Sequence, residues 1–187
     1  MAYQDEFEWK TKSGKKIYAY HWAAAEPKAV ICLVHGLGEH CRRYDHMAAY
    51  YNDKGYSVIS FDNVGHGRSE GKRGHVTKYQ IFMDNIQELI QQADKAYPLL
   101  PKFLYGHSLG GNMSLNYTLR NHPEIAGLVT TGAFVTLPEP APKLLVLFGK
   151  IMRNIVPSLL QSNNLNAEHV SKDEKVVNKY VADPLVH

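Results

Sequence analysis

The stretch Phe103-Leu104-Tyr105-Gly106-His107-Ser108-Leu109-Gly110-Gly111 decides how the rest of the chain is read. A short apolar run leads into a sharp turn, and a helix-like segment from Asn112 to Arg120 leads out of it. Strand, turn and helix with a serine at the apex hold that serine in a cramped backbone conformation. Its neighbours at 106 and 110 are glycines, which lack the Cβ atoms that would crowd it. The result is an exposed Oγ beside a helix N-terminus, whose free N–H groups and dipole favour negative charge. That is the construction of a nucleophile elbow.

Outward from it, the N-terminal side repeats the strand-then-helix theme. Phe7–Lys10 and Lys16–Trp22 flank Ser13-Gly14 and read as an antiparallel hairpin at a sheet edge. Ala29–Val34 is a continuous apolar run, the mark of a strand buried on both faces of a parallel sheet. Tyr44, Met47, Ala48 and Tyr51 recur at helical spacing, and Gly55 is placed to end that helix. Tyr56–Phe61 is the next strand. A helix from about Lys78 to Tyr97 follows, with Thr77 and Gln80 as a capping box and Phe82, Ile86, Leu89, Ile90, Ala93 and Tyr97 on one stripe. Beyond the elbow, Gly127–Thr131 is a further strand. This alternation predicts an α/β fold, a mostly parallel sheet covered by helices on both faces. Right-handed crossovers then gather the loops at 35–39, 62–69 and 106–110 on one carboxyl edge.

Composition bounds the alternatives. Hydrophobic content of 44% and charged content of 21% over 187 residues suit one soluble globular domain with an appended subdomain. A net charge of +3, with Lys and Arg dispersed, does not point to nucleic acid. The acidic N-terminus lacks an apolar signal region, and the longest apolar run, Leu144–Phe148, is far too short to span a bilayer. Cys32 and Cys41 make no disulfide framework, so the expected compartment is the reduced cytoplasm, with peripheral membrane contact left open. From Leu137 the character changes. A proline-rich linker, Leu137–Pro142, leads to an apolar helix over Lys143–Val156, stopped by Pro157, and a polar helix over Ser171–Val181. Residues 1–136 are therefore read as the core and 137–187 as a helical cap over the site.

Three loops together are more specific than any one. His35-Gly36-Leu37-Gly38-Glu39-His40, Phe61-Asp62-Asn63-Val64-Gly65-His66-Gly67-Arg68-Ser69-Glu70-Gly71 and Gly106–Gly111 occur in this order, each after a strand. The set resembles the α/β-hydrolases, and in detail their monoacylglycerol lipase and lysophospholipase branch; the end of the cap, Ala182-Asp183-Pro184-Leu185-Val186, is similar to that branch too. The resemblance implies an esterase acting on a single-chain lipid ester, without a cofactor, and with Ser108 as nucleophile. A serine hydroxyl is a poor nucleophile unless a histidine oriented by a carboxylate takes its proton. The oxyanion hole needs two backbone N–H groups, and losing one such donor costs about 3 kcal/mol of transition-state stabilisation. Leu109, just after the nucleophile, supplies one, and by resemblance Leu37 supplies the other.

His107, Glu39 and Arg43 match polar residues near the family's site and are expected to meet the polar head of the substrate. For Glu39 and Arg43 the plainer alternative is a surface ion pair at helical spacing. His35, His66 and His107 fit no usual zinc spacing, so no metal is expected, and His35 and His66 are read as buried braces of their loops. Asp62 ends a strand at the site edge, but the triad order in this fold is Ser, then acid, then His. Asp62 precedes Ser108, so it too is read as a loop brace. The cap helix could line an acyl tunnel or touch a membrane through Lys150 and Arg153.

After Ser108 the chain offers Glu124, Glu139, Glu168, Asp173, Glu174 and Asp183, and His122, His169 and His187. None follows a predicted strand at the site edge. The expectation is that the triad acid and base, and the last strands of the sheet, lie downstream of residue 187, and that the 187-residue chain alone is inactive. The remainder of the same protein would then be a partner of this piece. Alternative readings are a short-chain carboxylesterase or aminopeptidase of the same fold, or a non-catalytic lipid-binding or complementation piece. A haloperoxidase ranks lower, and a haloalkane dehalogenase would want an aspartate at position 108.

Overall fold

Every side chain of Ala29–Val34 is buried, as a strand with both faces covered requires. Val30, Cys32 and Val34 enter one apolar cluster and Ile31 and Leu33 another, so alternate residues serve opposite faces of the sheet. The computed structural model describes residues 3–136, 142–156, 158 and 167–187. In chain order its elements are β1 (Tyr3–Lys10), β2 (Lys16–Ala23), β3 (Ala29–Val34), α1 (Asp45–Asp53), β4 (Tyr56–Phe61), α2 (Gln80–Ala96), β5 (Lys102–His107), α3 (Leu109–Asn121), β6 (Gly127–Thr131), α4 (Lys143–Ile155) and α5 (Glu174–Val181). Short 3-10 turns at Cys41–Tyr44 and Ala167–His169 complete them.

The sheet runs β1-β2-β4-β3-β5-β6. Strands β4, β3, β5 and β6 are parallel, and the β1–β2 hairpin joins antiparallel at one edge. This is the α/β arrangement expected. Val34 sits opposite both Phe61 and Gly106, so the carboxyl ends of β4, β3 and β5 are level. The chain passes from β3 to β4 on one side and then crosses to β5 on the other. That reversal opens a crevice between the ends of β3 and β5, where ligands bind in open sheets of this kind.

Helix α1 covers one face, where Ala48 meets Tyr20, Trp22 and Leu33. The other face is covered by α2 and α3 through Phe82, Ile86, Leu89, Met113 and Tyr117. The capping box at Thr77 and Gln80 does not form, because α2 starts at Gln80 itself. Its opening N–H groups are taken by backbone: Ile81 donates to the Lys78 carbonyl and Phe82 to the Tyr79 carbonyl. The Gln80 side chain turns forward to Asp84 instead. Toward the C-terminus α5 starts later than expected, with the Asp173 carboxylate accepting from the Lys175 N–H at 2.9 Å.

On α4, Leu144, Leu147, Phe148 and Ile155 each expose more than half of their area. No described helix is long and apolar enough to cross a membrane. The linker at 137–141, Pro157 and the side chains of Leu145, Arg153 and Asn154 lie outside the described residues.

Candidate active site

Ser108 stands between β5 and α3 at φ 53° and ψ −116°, a region that non-glycine residues rarely enter. Its backbone is fixed on both sides. The N–H donates to the Thr131 carbonyl at 2.9 Å, and the carbonyl accepts from Asn112 and Phe134, both at 3.1 Å. Strain of this kind persists only where the surroundings over-determine it. The glycines beside it are explained by close approach. A Cβ at Gly106 would lie 2.4 Å from the Gly110 carbonyl oxygen, and one at Gly110 would lie 2.2 Å from that of Val34. The first turn of α3 thus rests directly on the ends of β5 and β3.

Across the crevice, the loop after β3 carries Leu37. Neither the Leu37 nor the Leu109 N–H has an acceptor among the described residues. His35 braces this loop as expected, and Asp62, expected to brace the loop at 62–69, holds both loops. The His35 Nδ1–H donates to the Gly36 carbonyl at 2.7 Å, and its Nε2 accepts the Asn63 N–H at 2.9 Å. A ring nitrogen that accepts a backbone N–H is unprotonated, and burial further disfavours the charged ring. His66 lies against it, ring centroids 5.4 Å apart, with Nδ1–H on the Val64 carbonyl. Burial, reinforced by His35, pushes His66 down to about 3. Asp62 accepts from the Cys41 N–H and thiol through one oxygen and from the Arg68 N–H through the other.

Leu37, Ser108, Glu39, Arg43 and His107 line one cavity of about 670 Å³. Leu109, the first residue of α3, is not among the lining residues. The Glu39–Arg43 pair is not on the surface: Glu39 is buried, and Arg43 Nη1 meets its Oε2 at 2.8 Å. His107 Nδ1 lies 2.9 Å from the Thr131 hydroxyl, and its ring edge faces Tyr44. The far wall comes from the C-terminal region, through His169, Val170, Val176 and Tyr180.

Several neighbours escaped the reading of the sequence. Tyr44 was visible only as an apolar position in a helical stripe, yet its hydroxyl donates to Glu39 Oε1 at 2.8 Å. The Arg43 guanidinium sits 4.4 Å from the centroid of the Tyr180 ring. His40 Nε2 pairs with Asp183 at 2.8 Å, and the His187 N–H donates to the Gly38 carbonyl at 2.9 Å. Burial opposes the Asp183 charge, but the hydrogen bonds from His40 and the Leu185 N–H outweigh it and hold the carboxyl below its usual range. No local pattern links residues 143 positions apart, so this contact has no signature in one sequence.

Ser108 Oγ makes no hydrogen bond among the described residues. The arrangement therefore offers a strained, half-buried serine that lines the cavity, two backbone donors without acceptors among the described residues, and a cavity with polar and apolar walls.

Known proteins share this plan. The family profile described as Serine aminopeptidase, S33 matches residues 25–187. Monoacylglycerol lipase of Mycolicibacterium smegmatis is 36% identical over 162 residues, which cover 87% of this chain and 58% of that protein. Monoglyceride lipase of Rattus norvegicus is 32% identical over 188 residues, covering 100% of this chain and 62% of the other. The crystal structure of Paleococcus ferrophilus monoacylglycerol lipase superposes with a TM-score of 0.78 at 34% identity, over 91% of this chain and 64% of that one. The chain thus spans about three-fifths of the length of the curated relatives it matches.

Proposed function

The chain belongs to the Serine aminopeptidase, S33, family of α/β-hydrolases, and from that premise we propose that it carries the nucleophile and oxyanion hole of a serine esterase for single-chain lipid esters such as monoacylglycerols or lysophospholipids. The observation that carries this reading is Ser108 at positive φ on the carboxyl end of β5, sharing one cavity with Leu37 across the switch point of the sheet. In the proposed reaction Ser108 Oγ attacks the ester carbonyl carbon. The negative charge that develops on the carbonyl oxygen is met by the N–H groups of Leu37 and Leu109. Collapse breaks the bond to the glycerol oxygen, which leaves with a proton, and water then releases the fatty acid from Ser108.

The proton needs a histidine base. The described residues bring none into hydrogen bonding with Ser108, and we assign the base and its carboxylate to the part of the fold that the longer relatives possess beyond this match. Arg43 and His107, at the polar side of the cavity, are proposed to meet the head group. Val170, Val176 and Tyr180 are proposed to take the start of the acyl chain, which makes 137–187 a cap. The exposed apolar residues of α4, with Lys143 and Lys150 beside them, support peripheral contact with a lipid surface.

The family description also admits peptide-bond cleavage. The apolar cavity wall favours an acyl chain over an amino-terminal charge, since no described carboxylate in the cavity is left to bind an ammonium group: Glu39 is already paired with Arg43. The test uses the natively expressed protein and its Ser108→Ala variant with monoacylglycerols of increasing acyl length, amino-acid anilides and a fluorophosphonate probe. Probe uptake and ester hydrolysis that both vanish in the variant are expected. Anilide cleavage exceeding ester cleavage, or an unlabelled Ser108, would overturn the reading.

A further inference from the structure

Both oxygens of the Glu39 carboxylate accept hydrogen bonds from the protein. Oε1 accepts the Gly36 N–H at 2.7 Å and the Tyr44 hydroxyl at 2.8 Å, and Oε2 accepts Arg43 Nη1 at 2.8 Å. Glu39 itself is 7% exposed. Gly36 is wedged between this carboxylate and the nucleophile: a Cβ there would lie 2.8 Å from Glu39 Oε1 and 3.2 Å from Ser108 Cβ. A bare carboxylate this close would oppose the charge that develops in the reaction. Three donors, one of them a cation, draw its charge away from the crevice, and the charge-assisted bonds they make are the stronger kind.

We propose that Glu39 is a positioning residue, whose carboxylate ties down the Gly36 N–H so that the next N–H in the chain, that of Leu37, faces the crevice as an oxyanion donor. The inference rests on the esterase reading above. The plane that carries the Leu37 N–H is held at its carbonyl by His35; without Glu39 the preceding plane, with the Gly36 N–H, loses its anchor, and a donor whose supporting turn must settle during the reaction loses part of its effect. Tyr44 is the second part of the device. Burial and the Glu39 charge push its phenol well above the usual range, so it remains a protonated donor and keeps the carboxylate turned toward Gly36. The sequence-based expectation placed Glu39 on the substrate head group; the geometry points instead to the loop behind the oxyanion.

The two roles separate by substrate. Glu39→Gln keeps an acceptor oxygen but turns an amide N–H toward Arg43, donor against donor. In the natively expressed protein, E39Q is expected to lower kcat about tenfold or more, less than the loss on removing an oxyanion donor itself. The kcat loss should be equal for a monoacylglycerol and for a p-nitrophenyl ester that has no glycerol, with KM little changed for the p-nitrophenyl ester, which does not meet Arg43. Uptake of a fluorophosphonate, whose tetrahedral adduct fills the same hole, should slow in parallel. Tyr44→Phe, which retains the buried ring, should give a smaller loss with the same pattern, and it decides the matter if E39Q does not fold. A loss confined to the monoacylglycerol, with kcat for the p-nitrophenyl ester unchanged, would make Glu39 act only at the head group and overturn the proposal. So would labelling of E39Q, or of Y44F in its place, as fast as wild type. A wild type that takes up no probe overturns the esterase reading and this inference with it.

Discussion

Asp62 is fully buried at the end of β4, and the cost of that charge is offset by three donors from two loops. The site leaves no room for a different arrangement, since a Cβ on Gly67 would sit 2.0 Å from Asp62 Oδ2. Removing the carboxylate orphans the N–H groups of Cys41 and Arg68, one of them buried. Asp62→Ala is therefore expected to lose about 3 kcal/mol of stability in urea unfolding. Asp62→Asn, which keeps an acceptor, should lose less. Equal midpoints for wild type and D62A would show that the loops hold without it. Asp62 was legible in the sequence because it ends an apolar strand and precedes the serine, which bars it from the triad by order. Glu39 was legible only in part. Its spacing to Arg43 was visible, but its burial and its bonds to Gly36 and Tyr44 depend on how the turn after β3 closes, which side-chain periodicity does not encode.

At the scale of elements, periodicity was the reliable signal and capping chemistry was not. The apolar stripe of α2 is buried as its spacing predicted, with Ile86, Leu89 and Ala93 fully covered. The box at Thr77 misled because α2 opens at Gln80 with Tyr79 at the cap position, two residues past Thr77. These two facts predict opposite outcomes for two substitutions on the same helix. Thr77→Ala should leave the unfolding free energy within about 0.5 kcal/mol, as an exposed residue with no partner in its side chain. Leu89→Ala should cost about 2–5 kcal/mol, the transfer term plus the cavity between α2 and the sheet. Chemical denaturation of both variants measures the contrast, and a T77A loss comparable to that of a true cap, about 1 kcal/mol, would show the box forming in solution. The elbow belongs to this scale too. Its two glycines announced a close approach of helix and strand, and the distances at Gly106 and Gly110 supply the reason.

The whole molecule brings three histidines, buried His35 and His66 and exposed His187, to one place, the junction of the loops after β3 and β4 with the end of the chain. The His66 ring lies between His35, at 5.4 Å, and His187, at 4.8 Å between centroids. Nothing in the spacing of positions 35, 66 and 187 foretold that, because it requires the segment after α5 to fold back on the crevice. Burial pushes all three rings below their ordinary range, His66 to about 3. An unfolded chain protonates the same histidines near 6.5, so between about 3 and 6.5 the unfolded state binds more protons than the native one. Stability must then rise with pH across that window and fall as acid is added, by about 1.4 kcal/mol per pH unit for each proton withheld. Asp183 acts in the same direction lower down, since its depressed carboxyl stabilises the fold above its unfolded value and is lost as pH falls through its folded one. Urea unfolding at pH 7.5, 6.5, 5.5 and 4.5 should give free energies that are level above about 6.5 and decline below it. His66→Asn, which can still donate to the Val64 carbonyl but cannot titrate, should flatten the decline by close to one proton's worth. A slope unchanged in H66N would mean that His66 is solvated in solution and that the loops around the oxyanion side of the crevice are looser than their hydrogen bonds imply.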